Sequence, residues 1–392
     1  MTQKALLKRN IWLVYVLTGL ANAWFWIAIW VFYYLRFTDY AGIGLLESIM
    51  IATYVLGEIP TGAIADLLGK KRTLTVSFLI QAVGFAIMGL ATAYPILASG
   101  VFIASLGGVL ASGTFDALVY DSLISIKGEK RFDKVIGNIA SIRMATLGAV
   151  SIAGGYLYTI LPGLPFLVLS MCLLGAFVVS FFLVEPPIDS VVFSLKNYFK
   201  QTAQGFHQLV KTPQIKIHSI IIIGLTMIVS INGHVLIDTQ LYDQGWSATE
   251  LGYVATIMFF VAAILSQLTP FFVKLFGRFN ATLVSALLIA VSMLSVPLLG
   301  VIAATGVILI RDGILQIFGN TANAAINAAT DSKYRATTLS TYNMISSIPY
   351  LFLAYYIGTL MDLWTVNSVT VMIGIVLAVS IGMSLLFVHK KA

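Results

Sequence analysis

Twelve apolar segments divide this chain from end to end: 11–37, 43–68, 73–93, 95–126, 135–160, 164–184, 217–240, 248–275, 281–303, 304–331, 337–362 and 367–388. Crossing a bilayer as a helix takes about 20 residues, and each segment supplies them. Glycine recurs inside them, as close helix packing in lipid requires. The chain is 59% hydrophobic and 10% charged, whereas a soluble domain carries about 25% charged residues. These observations predict a polytopic, all-α integral membrane protein with twelve transmembrane helices.

The cations orient the spans. Twenty of the 23 lysines and arginines fall in the terminal segments, in the loops after spans two, four, eight and ten, and in the central connection. All of these lie on one side of the membrane, which predicts that both termini are cytoplasmic. Arg36 is at the opposite face, while Arg143 and Arg311 are inside spans. The net charge of +7 is therefore spread over short loops, and it implies contact with membrane lipid rather than with nucleic acid. The N-terminal run 11–37 is too long for a signal-peptide core and is read as an uncleaved first helix. Cys172, the single cysteine, lies within a span and allows no intramolecular disulfide.

The longest polar connection, Glu185 to Lys216, opens with Glu-Pro-Pro and mixes lysines with Val191, Leu195, Tyr198 and Phe199. It reads as an amphipathic helix on the inner membrane surface. It sets the expected domains: an N-terminal six-helix bundle over 1–185, a linker over 186–216 and a C-terminal six-helix bundle over 217–392.

Polar groups in hydrocarbon are costly, so their positions point to function. In span ten, Asp312, Gln316, Asn320, Asn323 and Asn327 recur at helical spacing on one face. That stripe lines a water-facing cavity or makes interhelical hydrogen bonds. Span one carries Tyr15, Thr18, Asn22 and Trp26 on one face; Trp26 is a candidate to stack on a ligand or merely packs. Trp30, Tyr33 and Tyr34 read as an aromatic belt at the outer interface. Span four carries Ser112, Asp116 and Tyr120, and span five carries Arg143. Asp116 and Arg143 both lie about 8–9 Å to the cytoplasmic side of mid-span, so they are expected to pair, either as a structural pair or as one that breaks during transport. Arg311 and Asp312 are adjacent ionisable groups in span ten. Span seven carries Thr226, Ser230, His234 and Asp238, a histidine and carboxylate able to move protons or simply to hydrogen-bond. Glu47 is expected to pair with Arg36, and Glu58 lies deeper beside Pro60. Asp116, Glu58 and Asp238 are thus the candidate proton-coupling groups. No metal-ligand spacing, nucleophile elbow, Walker sequence or dinucleotide loop is present, so neither an enzyme nor a cofactor is expected.

Residues 57–73 read Gly-Glu-Ile-Pro-Thr-Gly-Ala-Ile-Ala-Asp-Leu-Leu-Gly-Lys-Lys-Arg-Thr. This resembles the loop between helices 2 and 3 of the major facilitator superfamily, with Gly62, Asp66, Gly69, Lys70, Lys71 and Arg72 at the pattern positions. The resemblance implies two pseudo-symmetric six-helix bundles. It also implies a central cavity lined by helices 1, 4, 7 and 10, and a cytoplasmic latch at this loop that engages the start of span eleven. Glu58-Ile-Pro-Thr-Gly62 and Arg335-Ala-Thr337 resemble the bacterial drug-efflux branch. The chain departs from that branch in having no arginine in span four and no Gly-Pro in span five.

The resulting expectation is a secondary active transporter in a bacterial plasma membrane, a monomer coupling protons or another ion to movement of a small molecule. Proton-coupled export of a small, partly apolar or cationic solute is expected. The alternatives are an ion-coupled importer of a metabolite and a non-transporting membrane receptor or scaffold. The expected substrate-binding residues are Tyr15, Asn22, Trp26, Ser112, Ser230, Gln316, Asn320, Asn323 and Asn327.

Overall fold

The structure is a computed structural model that describes residues 3–186 and 195–389, without the side chains of 3–4, 58–67, 195–198, 336 and 388–389. Its regular elements are all helical among the described residues. They are α1 (Gln3–Ala21), α2 (Trp30–Tyr34), α3 (Tyr40–Leu68), α4 (Lys70–Gly89), α5 (Tyr94–Ala111), α6 (Thr114–Ser125), α7 (Phe132–Ile160), α8 (Leu164–Ser180) and α9 (Leu195–Val210). They continue with α10 (Pro213–Ile231), α11 (Ile237–Asp243), α12 (Ala248–Ser266), α13 (Thr269–Phe276), α14 (Arg278–Ser295), α15 (Val301–Ala329), α16 (Arg335–Leu363) and α17 (Val366–His389). Every predicted span is helical for most of its length. Ten helical stretches among the described residues are long and apolar enough to cross a membrane, and α8 is a shorter apolar helix. The chain is a multi-pass membrane protein.

Local chemistry sets many of the helix ends. Pro213 occupies the first position of α10, where its missing N–H costs nothing, and the Thr212 hydroxyl accepts from the Ile215 amide at 3.2 Å. Three expected spans are interrupted. The first ends as a helix at Ala21, and the chain turns through 22–29 before α2. There the Asn22 side chain donates to the Thr18 carbonyl at 2.9 Å, which also accepts from the Asn22 backbone amide at 3.1 Å. The fourth breaks between α5 and α6 at Ser112 and Gly113, and the eighth breaks between α12 and α13. Span seven stays continuous but widens to a π turn over Asn232–Leu236.

Two compact units are present. The first comprises Met1–Phe37, Ile49–Leu195 and Ala248–Thr256, and the second comprises Thr38–Ser48, Lys196–Ser247 and Ile257–Ala392. Helices α3 and α12 thus each begin in one unit and continue in the other.

The core of the first unit gathers Leu13, Leu17, Leu74, Phe78, Leu118 and Leu173 from α1, α4, α6 and α8. The expected aromatic belt is absent here. Trp30, Tyr33 and Tyr34 are buried, 2–7% exposed. The turn through 22–29 brings α2 onto α8, where Tyr33 packs on Phe166 with ring centroids 4.6 Å apart and donates to the Met88 carbonyl at 2.5 Å.

In the second unit, α9 docks rather than standing alone. Leu209 is buried with Ile222, Ala322, Ile326 and Tyr342. Lys211 reaches Asp331 at 2.9 Å, and the Asp331 amide donates to Gln208. The outward side of α9 still exposes Phe199 and Phe206.

Candidate functional site

A cavity of about 230 Å³ opens within the second unit between α10, α15 and α16. Its polar lining is Thr226, Ser230, Gln316, Asn323, Tyr342 and Asn343, and Val229, Leu315 and Phe318 supply apolar wall. Thr226 and Tyr342 tie α10 to α16 by a hydroxyl–hydroxyl contact of 2.7 Å. No lining side chain is charged. The wall is rich in groups that both donate and accept hydrogen bonds.

Three expected substrate residues, Ser230, Gln316 and Asn323, share this cavity. The polar stripe of α15 does not act as one surface. At about 100° per residue, Gln316 and Asn323 differ by only ~20° around the helix, whereas Asn320 sits ~40–60° to one side. Asn320 accordingly turns to α13, where its amide donates to the Thr269 hydroxyl at 3.2 Å. Asn327 is half-buried further along α15, outside the cavity lining. Arg311, one turn before Leu315, is fully buried and donates to the side chain of Gln240, which donates in turn to Asn367 at 3.0 Å. Arg311 and Asp312 form no ion pair, because successive helical residues point in different directions. The guanidinium Nε and Nη1 have no hydrogen-bond partner among the described residues.

The expected residues of the first unit fall in separate places. The Tyr15 hydroxyl accepts from Asn138 at 3.1 Å, and Asn22 is turned back to its own helix. Trp26 lies in an aromatic stack with Trp24, Phe85 and Phe166, at centroid distances of 5.7, 6.3 and 6.3 Å, its indole N–H buried without a hydrogen-bond partner among the described residues. Ser112 caps the end of α5, and Asp116 follows in the first turn of α6 with its side chain exposed. A carboxylate in the first turn of a helix lies near the positive end of its dipole. The expected Asp116–Arg143 pair is not formed. The Arg143 guanidinium instead lies 6.0 Å from the Trp24 ring centroid, since equal depth in two helices does not make their side chains face each other. Asp238 lies in the first turn of α11.

At the loop after α3, the side chains of Glu58, Gly62 and Asp66 lie outside the described residues. Beyond them Gly69 adopts φ 84°, a left-handed conformation open to glycine, and a Cβ there would press on the Glu185 carboxyl. That carboxylate accepts from the backbone amides of Lys70 and Lys71 at 2.7 and 2.8 Å. The Lys70 ammonium pairs with Asp121 of α6, and Lys71 donates to the Phe181 carbonyl at 2.8 Å. Two of the loop's cations, Lys70 and Lys71, are therefore held by an acid and a carbonyl of their own unit.

Residues 11–352 match the sequence model of the Major Facilitator Superfamily. The chain belongs to that superfamily. A Bacillus subtilis relative, an uncharacterized MFS-type transporter named YxaM, is 26% identical over 255 residues; the match spans 63% of this chain and 62% of the relative. Among solved structures, the nucleoside transporter NupG superposes with a TM-score of 0.75 at 13% identity, over 98% of each chain. A POT family transporter in complex with 5-aminolevulinic acid gives 0.75 at 12% identity, over 97% of this chain and 96% of its own. A D-xylose–proton symporter gives 0.69 at 15%, over 94% and 96%. At these identities the likeness concerns the fold. The superfamily assignment points to a transporter rather than an enzyme.

Sequence reasoning passed over Glu185 as a capping acid, although a glutamate closing span six on the face that carries the cations was a visible signal. It also gave Glu47 to Arg36. The structure brings Glu47 to His234 instead, at 3.4 Å.

Proposed function

We propose that this superfamily member moves a small, uncharged or partly apolar solute bearing hydroxyls or amides through the cavity between α10, α15 and α16, by alternating access and in exchange for protons. The carrying observation is the lining itself: six hydrogen-bonding side chains without charge against an apolar wall. A cationic solute finds no carboxylate there, and an anionic one no cation. The volume, about 230 Å³, falls below the ~300–1,000 Å³ of pockets that take drug-sized ligands. A nucleoside or sugar has the right functional groups, and the solved neighbours named for nucleoside and D-xylose transport support that class.

Export draws support from the resemblance of Glu58–Gly62 and Arg335–Thr337 to the drug-efflux branch. The likeness to a proton symporter favours a second reading, proton-driven uptake. The cation distribution supports cytoplasmic termini, and the Bacillus subtilis relative supports a bacterial plasma membrane. The test is flux of labelled nucleosides and sugars into proteoliposomes under an imposed pH gradient, the sign of the gradient separating exchange from symport. Asn323→Ala and Gln316→Ala are expected to weaken apparent affinity at least tenfold more than Asn320→Ala. Equal effects of all three, or no flux of any neutral solute, would overturn the assignment.

A further inference from the structure

The first turns of α3 belong to the second unit, whereas the same helix continues from Ile49 as part of the first. Five contacts hold residues 38–48 in place. The Asp362 carboxylate accepts from the amides of Tyr40 and Ala41 at 3.0 and 2.8 Å. The Tyr40 hydroxyl donates to Asp243 at 2.5 Å, and Ser48 donates to the Leu351 carbonyl at 2.8 Å. Gly44 lies so close to α16 that a Cβ would overlap the Ala354 carbonyl. The fifth contact is His234 Nδ1 to Glu47 Oε2, at 3.4 Å.

This fifth contact differs in kind. A histidine is the side chain whose ordinary titration falls between about pH 5 and 8. The Glu47 side chain is 13% exposed and that of His234 36%. Glu47 Oε2 is buried without a hydrogen-bond partner among the described residues, and the His234 imidazole lies within reach of it. The imidazole stacks on Tyr350, ring centroids 4.7 Å apart and 19° between planes, which fixes its orientation. His234 also sits in the π turn Asn232–Leu236, the kind of local widening found at functional sites. One turn earlier, Ser230 lines the cavity.

The other ionisable groups of the packed elements are few. Asp238 follows on the chain of His234, and α10 carries Lys216 and His218 at its opposite end. Helix α15 brings Arg311, engaged by Gln240, and Asp312. Helix α16 brings Tyr350, Tyr342, which meets Thr226, and Asp362, which accepts from the Tyr40 and Ala41 amides; α11 brings Asp243, which accepts from Tyr40; and α17 has no ionisable residue before His389.

We propose that His234 and Glu47 form a proton-binding site that, within the second unit, fastens the first turns of α3 to the π turn between α10 and α11. The imidazole takes a proton from water, and the imidazolium then matches the buried carboxylate. When the proton leaves to water, that carboxylate is left without a counter-charge, and the fastening weakens. The contact is thus strong below the histidine pKa and is lost as pH rises through it. As the coupling site of a transport cycle it rests on the function proposed above; as a proton site holding α3 it stands alone.

The test uses no solute, so its failure is distinguishable from failure of the flux assay. Replacing His207, His218 and His389 with glutamine leaves His234 as the sole histidine. Its ring nitrogens are followed by NMR in detergent between about pH 5 and 9. Those signals are expected to change with pH in the native protein, and Glu47→Gln is expected to move the midpoint of that change. Amide hydrogen exchange of residues 40–48, corrected for intrinsic rates, should quicken above the midpoint in the otherwise native protein. It should show no pH step in Glu47→Gln, and His234→Arg, a permanent planar cation, should stay protected throughout. A silent His234, a midpoint unmoved by Glu47→Gln, or a pH step that survives in His234→Arg would each overturn the proposal. If Glu47→Gln does not fold, the native titration and the His234→Arg exchange still decide.

Discussion

Removing the Glu185 carboxylate should selectively free the first turn of α4. The first amides of a helix have no intrahelical acceptor, and here Glu185 takes the two from Lys70 and Lys71 at 2.7 and 2.8 Å. Losing an N-terminal cap costs about 0.5–2 kcal/mol. A carboxylate accepting two amides belongs at the upper end of that range, since charge-assisted bonds are roughly twice as strong as neutral ones. Glu185 is exposed, and solvent screening reduces the gain again. The net is about 1–2 kcal/mol, a factor of roughly 5–30 in the local opening equilibrium. Glu185→Ala should therefore raise hydrogen exchange at Lys70 and Lys71 by that factor. The Thr73 amide, which donates to the Gly69 carbonyl at 3.1 Å, is the internal control. Glu185→Gln retains one good acceptor and should give a smaller rise. Exchange at the two lysine amides within about twofold of the native rate would refute the cap, as would an equal rise at Thr73.

Two further outcomes follow from buried and exposed charge. Arg311→Met takes the donor from the buried Gln240 side-chain oxygen, and a buried acceptor left unsatisfied costs about 1–3 kcal/mol; the melting midpoint of the purified protein should fall, and an unchanged or higher midpoint would show that burying the guanidinium with Nε and Nη1 unpartnered among the described residues costs more than its bond to Gln240 returns. Asp331 is held below the usual carboxylate range, first by its hydrogen bond from Lys211 and then by one from Gln208. Its anchoring of the segment after α9 is thus complete above the ordinary value of 3.8 and fades as pH falls below it; Asp331→Asn should reproduce the acid state at neutral pH, read as faster limited proteolysis between 195 and 212.

The helical spans were legible because their physics is one-dimensional. Segment length, apolar content and the side of each cation are all sums along the chain, and α3, α7 and α16 appear within a few residues of their predicted bounds. The helix breaks were less so. Ser112-Gly113 and Gln267-Leu268 carry no proline or charge of their own, and a helix in hydrocarbon tolerates such pairs until packing decides otherwise. The burial of Trp30, Tyr33 and Tyr34 follows from the turn at 22–29 rather than from their composition, which equally suits an interface.

Pairings were least legible, for a geometric reason. Depth along a span follows from counting residues, but which neighbour a side chain meets depends on the rotation of each helix about its axis. Asp116 and Arg143 match in depth, yet the arginine lies against Trp24. Gln316 and Asn323 share a cavity from which Asn320, between them in sequence, is turned aside. Glu47 and His234 reverse the case: no spacing links them, but α3 is shared between the units and the π turn over Asn232–Leu236 re-aims the imidazole. A widened turn changes the angular position of every residue after it. Periodicity read straight through span seven therefore sets Thr226 and Ser230 correctly on the cavity face and leaves His234 beside Asp238 on paper, whereas the carboxylate it meets belongs to another helix.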